Sequence, residues 1–189
     1  MYVLCDTCSI LMLIRIAPEM FIDPAFECTT IFDVYKEIFQ TAKFKDKYPW
    51  RNQFKSIIKY IGQSKVNSKS VKETVALIGN LSNNQKNQRT GKYFDLSRVD
   101  RLIAACIYEF NYEISSVDRY LIDFIKQNFD KDAIKPLALI NIWLDKALIT
   151  WDEEKQSYLR DWKLQNEAAQ DKEDIKKFEE LTGIKYCGT

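Results

Sequence analysis

The chain has 189 residues, 46% hydrophobic and 29% charged, an ordinary composition for a folded domain with a sizeable core. Its longest apolar run, around Ile10 to Ile14, is far short of the roughly 20 residues that a membrane span needs. Asp6 interrupts the first apolar run and no small-residue cleavage site follows, so no signal peptide and a cytoplasmic location are expected.

The net charge of +1 hides a segregation of charge along the chain. From Thr41 to Lys92 twelve Lys or Arg stand against two acids, Asp46 and Glu73, giving +10; from Asp145 to Glu180 eleven acids stand against seven basic residues, giving −4. Such segregation points to a polyanionic partner. Five scattered cysteines are an odd number, which favours reduced thiols over a disulfide framework. Cys5 and Cys8 form a C-x-x-C pair, but with no second pair and no histidine they do not complete a zinc site, and the thiols are expected to be small buried hydrophobes.

Tyr2 to Cys5 is a short, β-rich apolar run of the kind that makes a buried parallel strand. It ends at Asp6-Thr7, two good N-cap types, and Ser9 to Ile16 then reads as a helix; Pro18 and Pro24 punctuate the next loop. Cys28 to Thr30 predicts a brief second strand running into a helix with Ile31, Val34, Tyr35 and Ile38 at helical spacing. In the basic segment, Phe54 to Ile61 and Val71 to Leu81 read as helices and Asn80 to Lys92 as a loop. The most regular helix follows Leu96-Ser97 and places Val99, Leu102, Ile103, Cys106, Ile107 and Phe110 on one face. Tyr112 to Ser116 predicts a strand, Arg119 to Asn128 a helix, and Pro136 to Ile142 a further apolar strand. After Asp145 the chain turns charged and helical to Leu181, with Gly183 as terminator. This alternation implies an α/β sandwich, a mostly parallel central sheet flanked by helices.

In an open parallel sheet, ligands bind beyond the carboxyl ends of the strands. Asp6 closes the first strand, Asp118 follows the strand ending at Ser116, Asp100 lies in the first turn of the most regular helix, and Glu37 lies in the helix after the second strand. Four carboxylates can therefore converge at one rim of the sheet, the donor chemistry of Mg²⁺ or Mn²⁺. Each acid also has a purely structural explanation. Asp6 and Asp118 can be N-caps, Ser97-x-x-Asp100 resembles a capping box, and Glu37 can be a solvated helix residue. The lysines of the basic segment can contact phosphates while Phe44, Tyr48, Trp50, Phe54 and Tyr60 stack on bases, or the lysines can be solvated and the aromatics core; core is the expectation for most of the rings.

Cys5-Asp6-Thr7-Cys8-Ser9-Ile10-Leu11, Tyr35-Lys36-Glu37-Ile38, Leu96-Ser97-Arg98-Val99-Asp100-Arg101-Leu102-Ile103-Ala104-Ala105 and Ser116-Val117-Asp118 resemble, in order and spacing, the motifs of PIN domains. The resemblance covers residues 1–144 and implies a PIN-like, Rossmann-like three-layer sandwich. It implies a Mg²⁺- or Mn²⁺-dependent endoribonuclease whose metal ligands are Asp6, Glu37, Asp100 and Asp118, with Thr7 and Ser116 arranging the site. Arg98, Arg101, Arg119, Lys43, Lys45 and Arg51 are the expected phosphate contacts. The partners it implies are RNA and a small cognate antitoxin, with a homodimer as an admissible assembly. Residues 41–92 read as a basic helical insertion and 145–189 as a charged, mainly helical extension; the compact toxins of the family have neither. A PIN-like RNA-binding or scaffold module without catalysis is the alternative. A haloacid-dehalogenase-type phosphatase would want D-x-D at the first strand, where position 8 is Cys.

Overall fold

The computed structural model describes residues 1–22 and 27–188; Pro24 lies outside the described residues. The fold is α/β, a small parallel sheet surrounded by helices. Strand β1 (Val3–Cys5) is central, flanked by β2 (Cys28–Thr29) and β3 (Glu113–Ser115), both parallel to it. The register pairs Val3 with Cys28 and Glu113, and Cys5 with Ser115. All three residues of β1 are fully buried, which is why that strand is a continuous apolar run and not an alternating one. Single parallel bridges add Tyr60 beside Thr30 and Ile134 beside Ser115, widening the sheet by one residue at each edge.

Helices α1 (Thr7–Leu13) and α2 (Phe32–Gln40) follow the first two strands. Then come α3 (Lys43–Lys47), a 3₁₀ turn (Pro49–Phe54), α4 (Gln63–Val66) and the long α5 (Lys69–Asn84). Helix α6 (Arg98–Phe110) packs along α5 and leads into β3; α7 (Arg119–Phe129) follows. The remainder is helical: α8 (Pro136–Asp145), α9 (Glu153–Leu164) and α10 (Lys172–Thr182), which packs on α8. Among the described residues no helix is long and apolar enough to cross a membrane.

Two expected elements are corrected. Residues 136–142 form a helix and not a strand: Pro136 occupies its first turn, and Leu137, Leu139, Ile140 and Trp143 are all completely buried. A helix buried on nearly all sides loses the polar stripe that would reveal its period, so the run looks the same as a buried strand. Residues 54–61 are not a helix either. After the 3₁₀ turn the chain extends, and Thr30 exchanges backbone bonds with it, its N–H donating to Lys59 O and its carbonyl accepting from Ile61 N–H. The charged tail is two helices broken at residues 165–171, where Asn166 adopts a left-handed φ of 52°. Gly183 ends α10 at φ 68°, the conformation a glycine takes without a Cβ clash.

The tail is fastened to the rest of the chain. Leu159, Trp162 and Phe178 belong to the same buried cluster as Val3 and Leu4. Asp161 pairs with Arg15 at 2.7 Å, and the Arg15 guanidinium lies over the rings of Trp50 and Tyr158 at 5.0 and 3.9 Å. Glu167 pairs with Lys47 at 3.0 Å and accepts from the Tyr48 hydroxyl, so the acidic tail meets the basic segment through these two partners.

Candidate active site

Because the strands are parallel, their carboxyl ends share one edge, and the residue after each strand is delivered there. Asp6 follows β1 and caps α1: one carboxylate oxygen accepts from Ser9 N–H at 2.7 Å, the other from the Ser116 hydroxyl at 2.5 Å. Ser116 follows β3 and in turn accepts from Asp118 N–H at 3.0 Å. Asp118 caps α7 by accepting from Leu121 N–H at 3.0 Å. A continuous hydrogen-bonded path therefore runs from the backbone N–H of Asp118 through the Ser116 hydroxyl to the Asp6 carboxylate. On the other side, Thr7 donates its hydroxyl to Glu37 of α2 at 2.8 Å, and Lys43 approaches the same carboxylate at 3.5 Å. Asp100 completes a full capping box with Ser97 at the start of α6, accepting from Ser97 N–H at 2.9 Å.

The electrostatics tie these residues together. Burial raises the Asp6 carboxyl above its ordinary value, against the opposing bonds from Ser116, Ser9 and Val117 N–H. Asp100 is raised first by burial and further by the charges of Asp118 and Glu37, which places those three carboxylates within each other's field. Cys8 is the exposed cysteine, not the buried hydrophobe expected, while Cys5, Cys28 and Cys106 are buried. Crowding of its sulfur by protein, then the charges of Asp6, Glu167 and Glu37, push the Cys8 thiol up to about 12, so it stays protonated and is a poor nucleophile.

Glu167 is the functional candidate that sequence reasoning missed. It lies between α9 and α10, its side chain 8% exposed, and its charge reaches the same thiol as those of Asp6 and Glu37. Counted merely as part of the acidic tail, it carries no local pattern that marks it. Asp123, five residues after Asp118 on α7, is taken up elsewhere: Arg89 (3.0 and 2.7 Å) and Asn87 (2.7 Å) bind it and anchor the 86–93 loop on that helix.

The expected phosphate contacts divide. Lys43, Lys45, Arg98 and Arg119 are exposed. Arg51 is corrected: it is 6% exposed, and its guanidinium donates to the carbonyls of Ile38 (2.8 Å) and Tyr48 (3.3 Å), so it joins α2 to the 3₁₀ turn and faces no ligand. Arg101 is half-buried at the α5–α6 contact, where Gly79 leaves room for its guanidinium. Of the aromatics, Phe44 and Tyr48 are buried and Trp50 and Phe54 packed on the core, which leaves Tyr60 exposed at 42%.

The donor set is all oxygen and acidic, the type that suits Mg²⁺ or Mn²⁺. Yet among the described residues no three His, Cys, Asp or Glu side chains are gathered closely enough to hold one metal ion. Asp6, Asp100 and Asp118 each turn an oxygen onto a backbone N–H of their own helix start, and Glu37 is held by Thr7 and Lys43. Ser116→Ala should push the Asp6 carboxyl up further, since the lost hydroxyl bond favours the ionised form. Carboxyl NMR titration checks this, and an unchanged Asp6 midpoint contradicts the bond. Comparison with protein-family models, curated proteins and solved structures gives no match for this chain.

Proposed function

We propose that this chain is a metal-dependent endoribonuclease of PIN-like fold. The observation that carries the reading is the hydrogen-bonded path from Asp118 through Ser116 to Asp6, with Thr7 holding Glu37 beside it, at the carboxyl edge of a parallel sheet. The charges of Asp118 and Glu37 add to the burial that raises the Asp100 carboxyl, and a divalent cation would relieve that repulsion. A bound Mg²⁺ or Mn²⁺ supplies an activated water and neutralises charge on the phosphodiester.

The chain's own residues do the rest. Asp6, Glu37, Asp100 and Asp118 would hold the cation, each rotating away from the backbone N–H or side chain that holds it at present. Ser116 favours the ionised form of Asp6 against its burial, and Thr7 orients Glu37. Lys43, beside Glu37, and the exposed Arg98 would receive phosphate oxygens of the RNA. The PIN resemblance extends the reading to the toxin of a toxin–antitoxin pair, with RNA as substrate and the cytoplasm as location.

A second reading has its own support: three of the four acids already act as helix caps, which a PIN-like module that binds RNA without cleaving it would also need. The two separate in one assay. Purified protein with Mg²⁺ or Mn²⁺ should cleave single-stranded RNA, and Asp6→Asn should lower the rate at least about a hundredfold, since even groups that only orient a metal ligand are worth about 10–100-fold. Equal cleavage by wild type and Asp6→Asn would mean that the nuclease is something else in the preparation. RNA binding without any cleavage would favour the module.

A further inference from the structure

Helix packing forms a second feature on the helices that carry Glu37 and Asp100. Beside α2, the starts of α5 and α6 enclose a cleft of about 380 Å³, within the range of small-ligand sites at about 300–1,000 Å³. Its walls are apolar, from Val66, Val75 and Leu102, with Phe32 alongside. Three cations open onto it, Lys36, Lys72 and Arg98, against one acid, Asp33. Asp33 is already matched by Lys36 at 3.3 Å, whereas Lys72 and Arg98 have no acidic partner among the described residues. The walls continue the hydrophobic core, to which Val66 belongs and on which Val75 and Leu102 pack, and the two free cations stand at its edge. They suit a ligand with a flat, weakly polar body and an anionic end.

The position says which ligand. Lys36 immediately precedes Glu37 on α2, and Arg98 lies two residues before Asp100 on α6, so two helices that line the cleft also deliver the acids. We infer that the cleft is a nucleotide subsite, taking one unpaired nucleotide of a single-stranded RNA with its base against Val75 and Leu102 and its phosphate on Lys72 and Arg98. The inference rests on the nuclease reading for the identity of the strand and names where a neighbour of the scissile bond is held. A duplex would first have to unpair and unstack a base to use this site, which favours a single strand.

The test uses the whole chain in EDTA, so that binding is measured apart from cleavage. Adenosine 5′-monophosphate, adenosine and inorganic phosphate are titrated separately by calorimetry. The nucleotide should bind at least about tenfold more tightly than either fragment, because it alone meets both walls and cations. Lys72→Ala and Arg98→Ala should each weaken it about tenfold, and Val75→Trp, which fills the cleft, should abolish binding while circular dichroism stays that of the wild type. If phosphate alone binds as tightly as the nucleotide, or if Val75→Trp and Lys72→Ala bind it like the wild type, there is no nucleotide subsite here. RNA cleavage without nucleotide binding overturns the subsite and leaves the nuclease reading intact. Nucleotide binding at this cleft without RNA cleavage overturns the nuclease reading and supports the subsite in an RNA-binding module.

Discussion

Asp100→Asn should abolish divalent-dependent RNA cleavage, by at least about a hundredfold, while leaving the fold almost untouched. Asparagine keeps an oxygen that can accept from Ser97 N–H, and Ser97 still caps the helix, so the lost cap is worth less than the about 1 kcal/mol typical of a full N-cap deletion. The pH dependence then identifies the role of the charge. In the folded protein the Asp100 carboxyl is raised by burial and by Asp118 and Glu37, whereas in the unfolded chain it titrates at the usual value near about 4. Between those values the folded state holds a proton that the unfolded chain has released. Stability from this residue therefore falls as pH rises through that window and stays lower above it. In EDTA, thermal unfolding of the wild type followed from about pH 4 to pH 7 should lose stability over this window more steeply than that of Asp100→Asn. Full activity in the variant would remove Asp100 from the site, and identical pH slopes would mean that folding does not raise its carboxyl.

Trp162→Ala should be the most destabilising single change in the tail, at about 3–5 kcal/mol. Trp162 is 4% exposed, and its indole N–H donates to Met12 O at 3.1 Å. Met12 lies in the last turn of α1, where carbonyls have no partner within the helix, so the indole satisfies a group that folding would otherwise leave bare. Trp162→Phe keeps most of the packing and should lose only about 1 kcal/mol for the bond. Urea unfolding of the two variants separates the contributions. A cost below about 1 kcal/mol for the alanine would mean that α9 is not integral to the core.

Much of the frame was legible before the coordinates. The Val3–Cys5 strand and helix α6 stand out because one is a short run buried on both faces and the other keeps a strict helical stripe. Asp6, Asp100 and Asp118 could be located from strand ends and helix starts alone, and all three act as the caps that their positions suggested. What stayed hidden depends on tertiary contacts. Helix α8 is apolar on nearly every side and so shows no period. Arg51 was counted with the phosphate-binding cations because its charge is visible and its partners, the carbonyls of Ile38 and Tyr48, are not. Glu167 and Lys72 each acquire meaning only when a distant helix is laid beside them.

The bond from Trp162 to Met12 and the ion pair from Asp161 to Arg15 join residues 150 and 146 positions apart. Contacts of such long range form late, because the intervening chain must first be ordered. During synthesis the helix that Asp6 caps is therefore made early and clamped late, once the segment around Trp162 has left the ribosome. A nascent chain held short of residue 160 should therefore carry Asp6 and the helix it caps without the contacts that Met12 and Arg15 make to the tail.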